Sequence, residues 1–302
     1  MKPGPEPERL EIETVRLSSS DGFTIAVHHL GGDVDDPPLL LAHATGLHGR
    51  CWLPVARRLR GWRVLALDFR GHGDSDAPID HSYAWEGFAD DVLAVVDSLC
   101  SRPPFAAGHS KGGAALLLAE GRRPGTFAGL WCYEPVVLPP RLRGTGDVAG
   151  GDFLAAAAEK RRETFPSRAA AIENFASKPP FDVVDREALE AYVDFGFEVE
   201  SDGSLRLKCP PRVEAAVYRH GPLHDAWERL GSIACHVTVA RGGLAIGPAA
   251  FAEELARACR SATVEVYEDL GHFGPLQDPA RVARAIRLAA GKAFGIVTDP
   301  RE

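Results

Sequence analysis

The sequence lacks long apolar runs, an excess of positive charge and any pair of cysteines in C-x-x-C spacing. No segment approaches the ~18 consecutive apolar residues that a membrane span needs. The 34 Lys and Arg are outnumbered by 42 Asp and Glu, which gives a formal net charge of −8. Nucleic-acid binding depends on a basic surface. We therefore expect neither a membrane nor a nucleic acid as a partner.

The six cysteines stand singly along the chain, without a spacing typical of zinc sites. In a chain of 302 residues this pattern favours reduced thiols over a disulfide framework. We expect no metal and no cofactor. Residues 1–13 contain no apolar segment of the signal-peptide type, so the expected location is the cytoplasm. No feature of the sequence indicates an oligomeric state.

Short apolar runs alternate with helical patterns along most of the chain. Strands are predicted at residues 9–17, 23–30, 38–43, 63–68, 105–107, 129–133, 236–240 and 263–267. Helices are predicted at residues 51–60, 83–100, 111–123, 248–260 and 279–290. The runs PLLLAH and RVLALD are continuously apolar, as strands buried on both faces of a parallel sheet are. The pattern predicts an α/β fold with an eight-stranded, mostly parallel sheet flanked by helices.

The alternation stops after residue 134 and resumes at residue 234. The intervening stretch is mainly helical in pattern, at residues 153–165, 168–177 and 185–195, with a hairpin expected about Asp202-Gly203. We interpret residues 135–233 as a helical cap inserted into a core domain. That core is made of residues 1–134 and 234–302.

The strongest local motif is the G-x-S-x-G of residues 108–112, which follows an apolar strand and opens a helix rich in Ala and Leu. This context places Ser110 on a sharp strand-to-helix turn with its hydroxyl exposed. A serine hydroxyl is a poor nucleophile and needs a base. His272 is the expected base, because it lies in a loop after the last strand with Gly271 and Gly274 on either side.

Residues 43–49, HATGLHG, form a glycine-containing loop after the third predicted strand. A tetrahedral intermediate carries an oxyanion, which two fixed backbone N–H groups stabilise. The N–H groups of Thr45 and Lys111 are our candidates, and the side chain of Thr45 is not required. His43 is expected to pack beneath the loop and hold it. We expect the Lys111 ammonium, which is disfavoured at a helix N-terminus, to point towards a carboxylate.

Taken in order, four motifs resemble those of the α/β-hydrolase superfamily. They are its oxyanion loop, its D-x-R-G-x-G-x-S turn, its nucleophile elbow and its terminal histidine loop, at residues 43–49, 68–75, 108–112 and 271–273. Ala44 stands where the family usually has glycine. The resemblance covers nearly the whole chain and implies a sheet with only the second strand antiparallel, beneath a helical cap. Turn and packing roles are expected for Asp68, Arg70 and Asp74.

The third member of the expected triad departs from the family pattern. The family usually carries Asp or Glu after the seventh strand, but residues 240–247 read ARGGLAIG and no carboxylate comes before Glu253. Some members place the acid after the sixth strand, where Glu134 stands. Glu134 is therefore our candidate acid. The alternative is a strand-end residue that faces water or pairs with a cation such as Lys111.

Together these residues predict a cofactor-free serine hydrolase whose partner is a small-molecule acyl substrate: an ester, a thioester or a lactone. Ser110 would attack, His272 would carry the proton and Glu134 would orient the imidazole. Acyl transfer to another acceptor and perhydrolysis stay open, as does a catalytically weak binding protein of the same fold. The apolar cap predicts that neutral acyl groups of medium size are preferred over highly charged ones.

Overall fold

The computed structural model describes residues 12–78, 81–142, 151–244 and 246–298. Its strands are, in chain order, β1 (Thr14–Ser18), β2 (Thr24–Gly31), β3 (Pro38–Ala42), β4 (Arg63–Asp68), β5 (Phe105–His109), β6 (Gly129–Tyr133), β7 (Thr164–Phe165), β8 (Phe197–Val199), β9 (Leu205–Leu207), β10 (His236–Gly242) and β11 (Ala262–Tyr267). The main sheet has eight strands in the order β1-β2-β4-β3-β5-β6-β10-β11.

Only β2 runs antiparallel to its neighbours in this sheet; the other pairs are parallel. The predicted α/β fold and its eight main strands are thus confirmed. The first strand begins at Thr14: residues 9–11 lie outside the described ranges, and residues 12 and 13 are described but do not belong to the strand. Parallel neighbours need a crossover between them, and helices supply it.

The helices are, in chain order, α1 (Leu53–Ala56), α2 (Trp85–Leu99), α3 (Lys111–Arg122), α4 (Gly151–Glu159), α5 (Arg168–Ala176), α6 (Arg186–Phe195), α7 (Pro211–His220), α8 (Ala226–Arg229), α9 (Ala252–Ala258), α10 (Gly274–Gln277) and α11 (Pro279–Phe294). In α11, Pro279 occupies the first turn and the Asp278 side chain accepts a hydrogen bond from the Arg281 N–H, so both support its start. Among the helices in the described ranges, none is both long and apolar enough to cross a bilayer.

Apolar side chains pack on both faces of the sheet. On β3, Leu40 points to the face covered by α2 and α3, while Leu39 and Leu41 point to the face covered by α1 and α11. All three leucines have no exposed surface, and burial of one such side chain stabilises the fold by roughly 1.5–3 kcal/mol. This two-sided core explains why the run PLLLAH is apolar throughout.

The chain between β6 and β10 contains α4 to α8 and a small antiparallel sheet in the order β7-β9-β8. The hairpin expected about Asp202-Gly203 is confirmed, since β8 and β9 pair on either side of it. The helix predicted at residues 153–165 is wrong in its second half: α4 ends at Glu159, and Thr164 pairs with Arg206 of β9. The boundaries of the cap stay a prediction.

Candidate active site

Ser110 lies on the turn between β5 and α3, with φ 54° and ψ −116°. A positive φ is costly for a residue with a side chain and marks stored backbone strain. The turn is tight because α3 begins against the end of β3: a Cβ on Gly112 would lie 2.2 Å from the carbonyl oxygen of Ala42. Glycine is therefore required at position 112 if Ser110 is to keep this conformation.

Glu134 follows β6 as Ser110 follows β5. His109 and Tyr133 are partners in the parallel pairing of these two strands, so the residues after them leave the sheet side by side. The Ser110 N–H donates to the Tyr133 carbonyl at 2.9 Å, and the Glu134 N–H donates to the Ala240 carbonyl of β10 at 2.8 Å. Glu134 also has a positive φ, 43°. The register of three strands therefore places its carboxylate next to the turn that holds Ser110.

The structure brings Ser110, His272 and Glu134 into one line of hydrogen bonds. Nδ1 of His272 lies 2.6 Å from Glu134 Oε2, and Nε2 lies 3.2 Å from Ser110 Oγ. A carboxylate only accepts hydrogen bonds, so Nδ1 carries the imidazole proton and Nε2 is free to accept from the Ser110 hydroxyl. The Glu134 side chain is 4% exposed, whereas that of His272 is 38% exposed and reaches the cavity.

Three further groups fix this line of side chains, and none of them was predicted from the sequence. Glu134 Oε1 accepts from the Gly242 N–H at 2.8 Å. The His109 imidazole donates through Nε2 to the His272 carbonyl at 2.7 Å, and the Tyr133 hydroxyl donates to the Gly271 carbonyl at 2.8 Å. His109 and Tyr133 immediately precede Ser110 and Glu134, and that adjacency was the one signal in the sequence.

Thr45, in the loop after β3, lines the same cavity. His43 Nδ1 donates to the Ala44 carbonyl at 2.7 Å, and His43 Nε2 accepts from the Phe69 N–H at 3.1 Å. Burial lowers the pKa of His43 well below its ordinary value, which keeps the ring neutral and this tautomer in place. In a trans peptide the C=O and N–H point in opposite directions. By fixing the Ala44 carbonyl, His43 therefore directs the Thr45 N–H away from itself.

Lys111, the second residue expected to contribute an N–H, is the first residue of α3, where helix N–H groups have no intrahelical acceptor. The expectation for its side chain is wrong. The ammonium does not meet a carboxylate in the described ranges; Nζ lies 4.4 Å from the ring centroids of both Phe69 and Phe88 and 3.4 Å from Nε2 of His72. Burial lowers the pKa of Lys111 to about 7. The faces of two aromatic rings attract the cation in place of a carboxylate.

His28, Asp68 and Asp74 are the one group in the described ranges that has metal-ligand geometry, with ligand atoms within 4.8 Å of one another. Asp68 Oδ2 already accepts from His28 Nε2 at 2.9 Å and from the Asp74 N–H at 2.7 Å. Asp74 forms ion pairs with Arg50 and Lys208. Two cations on one of three ligands disfavour a bound metal ion, and these contacts favour the turn and packing roles expected for Asp68 and Asp74.

Ser110 opens into a cavity of about 900 Å³. The walls are mainly apolar and include aromatic side chains of the residues between β6 and β10, namely Phe165, Phe175, Phe181 and Tyr218. One ion pair, between the partly buried Arg161 and the buried Glu214, also lines the cavity. It packs behind the loop after β3: a Cβ on Gly46 would lie 2.6 Å from Glu214 Oε1. The cavity can therefore hold an apolar group next to Ser110, and the ion pair offers polar atoms near the loop after β3.

Comparison with known sequences identifies the class of protein. The sequence profile of the alpha/beta hydrolase family matches residues 39–285, and the chain belongs to this family. Human monoglyceride lipase is 37% identical over 106 residues, which are 33% of this chain and 35% of the lipase. The similarity to that enzyme thus spans about a third of its length.

Solved structures resemble the whole fold. E-2-(acetamidomethylene)succinate hydrolase superimposes with a TM-score of 0.77 at 21% identity, covering 92% of this chain and 99% of that one. The thioesterase domain from the curacin biosynthetic pathway gives 0.74 at 20% identity, covering 91% and 99%. At these identities the likeness is one of fold.

Proposed function

We propose that the protein is a serine hydrolase that cleaves an ester, thioester or lactone through an acyl-enzyme intermediate. The observation that carries the proposal is the line of hydrogen bonds from Ser110 through His272 to Glu134. A nucleophile, a base and a group that orients the base are the parts that covalent acyl transfer needs. The kinship with lipase and thioesterase folds supports the same reaction class.

In the first step Ser110 Oγ attacks the acyl carbon while His272 Nε2 takes the hydroxyl proton. The resulting imidazolium is stabilised by Glu134, whose second oxygen is held by the Gly242 N–H. His272 then gives the proton to the leaving group, and the ester bond to Ser110 remains. Because Nδ1–H is held by the carboxylate at 2.6 Å, the imidazole starts with the proton on the correct nitrogen.

The negative charge of the tetrahedral intermediate would be met by the N–H groups of Thr45 and Lys111. One such donor typically contributes about 10²–10³ in rate, provided that it is fixed before the reaction. The hydrogen bond from His43 to the Ala44 carbonyl supplies that rigidity for Thr45. In the second step water replaces the leaving group, and His272 activates it as it activated the serine. Free acid is released and the enzyme is restored.

A fluorophosphonate probe tests the proposal without knowledge of the substrate. An activated serine reacts with the probe rapidly, and peptide mass spectrometry then identifies the modified residue. We expect labelling at Ser110 in the wild type and no labelling of Ser110→Ala. The control is Ser75→Ala, because the Ser75 hydroxyl donates to the Asp68 carbonyl. This variant should be labelled as the wild type is. A wild-type protein that is folded but unlabelled would instead favour the weakly catalytic binding protein.

A further inference from the structure

Three cations line the mouth of the cavity. Lys160 and Arg162 follow α4 and Lys178 follows α5; all three are exposed and all three line the cavity that contains Ser110. Within the described ranges none of them forms an ion pair with a carboxylate. Three exposed positive charges thus line a mainly apolar cavity, in a chain whose formal net charge is −8.

Neutral groups hold two of these cations in position. Arg162 Nε donates to the Thr164 carbonyl at 2.8 Å, and its guanidinium lies 4.7 Å from the ring centroid of Phe165. Lys178 Nζ donates to Asn174 Oδ1 at 3.0 Å. A carbonyl, an aromatic ring and an amide restrict where a cation lies, but they do not cancel its charge.

Two of the carboxylates nearby interact with other cations. Glu159 pairs with Arg219 at 2.5 Å, and Glu163 interacts electrostatically with Arg206. Inside the cavity the charge of Arg161 is balanced by Glu214. Glu134 and Glu214 line the interior of the cavity, whereas the exposed lining residues in the described ranges include three cations and no carboxylate. A mouth of one sign raises the local concentration of the opposite charge.

On the basis of the proposed function, we infer that the substrate is an amphiphilic ester with one anionic group, a carboxylate or a phosphate. Its apolar part fills the cavity above Ser110, and the anion lies at the mouth against Lys160, Arg162 and Lys178. The preference for neutral substrates drawn from the sequence rested on the apolar cap residues. It did not take into account where these three cations lie.

The test uses p-nitrophenyl monoesters of linear diacids, of about four to eight carbons, each compared with the same ester whose free carboxylate is methylated. At low ionic strength we expect kcat/KM to be about tenfold higher for the anionic form at the best chain length, which three partly screened charges can supply. At about 0.5 M salt this ratio should fall towards one, because exposed charges are screened.

The ratio is then measured in the triple variant Lys160→Gln, Arg162→Gln, Lys178→Gln. We expect it to fall to about one. A control double variant, Arg284→Gln with Lys292→Gln, removes two exposed cations of α11 that do not line the cavity, and it should keep the wild-type ratio. A wild-type ratio of one or less at every chain length overturns the inference, as does a preference that survives in the triple variant.

Binding to the Ser110→Ala protein separates this inference from the proposed function. Calorimetry compares a linear alkyl carboxylate, an alkyl phosphate and the alkyl alcohol of the same length. Tighter binding of either anion than of the alcohol, lost in the triple variant, supports the inference even if no ester is hydrolysed, and the tighter of the two identifies the anion. Equal binding of all three overturns it, whatever the fate of the hydrolase assignment.

Discussion

The backbone N–H of Gly242 donates a hydrogen bond to Oε1 of Glu134 at 2.8 Å. Gly242 ends β10, close to where the family usually carries its acid, so here that region supports an acid that comes from the neighbouring strand. A Cβ on Gly242 would lie 2.3 Å from the Leu270 carbonyl oxygen and 3.2 Å from Glu134 Oε1. The space that a side chain would occupy is already filled.

We expect Gly242→Ala to lower both the free energy of unfolding and the activity. The added methyl group has to displace the backbone at Leu270 or the Glu134 carboxylate, and overpacking of this kind costs about 1–3 kcal/mol. Denaturant unfolding and kcat/KM measure the two effects. Gly231→Ala is the control, since no heavy atom lies within 4 Å of a Cβ there. Equal losses in both variants would contradict the steric argument.

Glu134→Gln tests the acid. The amide keeps the shape of the side chain but removes the charge that stabilises the imidazolium, so kcat should fall by about 10²–10⁴ while KM changes little. Glu253→Gln is the matched control, because Glu253 is the first carboxylate after β10 in the chain and pairs with Arg241 at 2.8 Å. If Glu253→Gln loses activity and Glu134→Gln does not, the assignment of the acid is wrong.

Ser110→Ala and His272→Ala should each abolish most of the turnover, and the double variant should be little slower than either one. Residues that act as a unit in one proton transfer give losses that do not add. The comparison needs all three variants with the same ester, and circular dichroism to verify that each is folded. Losses that multiply would mean that the two side chains act in separate steps.

Lys111→Met should raise the free energy of unfolding at pH 6, because methionine fits between Phe69 and Phe88 without the cost of burying an ammonium. The pKa of Lys111 is about 7 in the folded protein and about 10.4 in an unfolded chain. Between these values the unfolded chain binds more protons, so wild-type stability gains from this group as pH rises.

Unfolding by denaturant at pH 6, 7, 8 and 9 measures this effect as the difference between the wild type and Lys111→Met. We expect the free energy of unfolding of Lys111→Met to exceed that of the wild type by about 2–4 kcal/mol at pH 6, as for a fully buried lysine. This difference should shrink steadily above pH 7. Lys292→Met, at an exposed lysine of α11, should differ from the wild type by little and equally at each pH. A constant advantage for Lys111→Met would show that no proton is involved.

Local signals in the sequence predicted the sheet and the two residues Ser110 and His272. Runs of buried residues mark β3 and β4 because both faces of a parallel sheet are covered, and Gly112 marks the turn because no side chain fits there. Glu134 was predicted from the family resemblance, because some members carry the acid after the sixth strand and no carboxylate follows the seventh strand before Glu253. The contact of Glu134 with His272 depends on the register of β6 with β5 and β10, which no local pattern encodes.

Features that depend on residues far apart in sequence were missed. The Lys111 ammonium meets Phe69, Phe88 and His72, which come from two other segments of the chain. A carboxylate partner was expected because lysine is charged, whereas the position of these three rings could not be known from the sequence. Likewise, Thr164 becomes a strand residue because β9 offers a partner, although the residues before it continue a helical pattern. Both outcomes are decided by tertiary contacts rather than by local preference.

Ser110 and Glu134 directly follow β5 and β6, and His272 lies in the loop after β11, whereas residues 151–233 contribute walls and mouth to the cavity. Chemistry and selectivity are thus encoded by separate stretches of the gene. A substitution at Lys160 or Lys178 alters which molecule enters without touching the proton path. New substrate ranges can therefore arise by drift in that segment while the older reaction is retained.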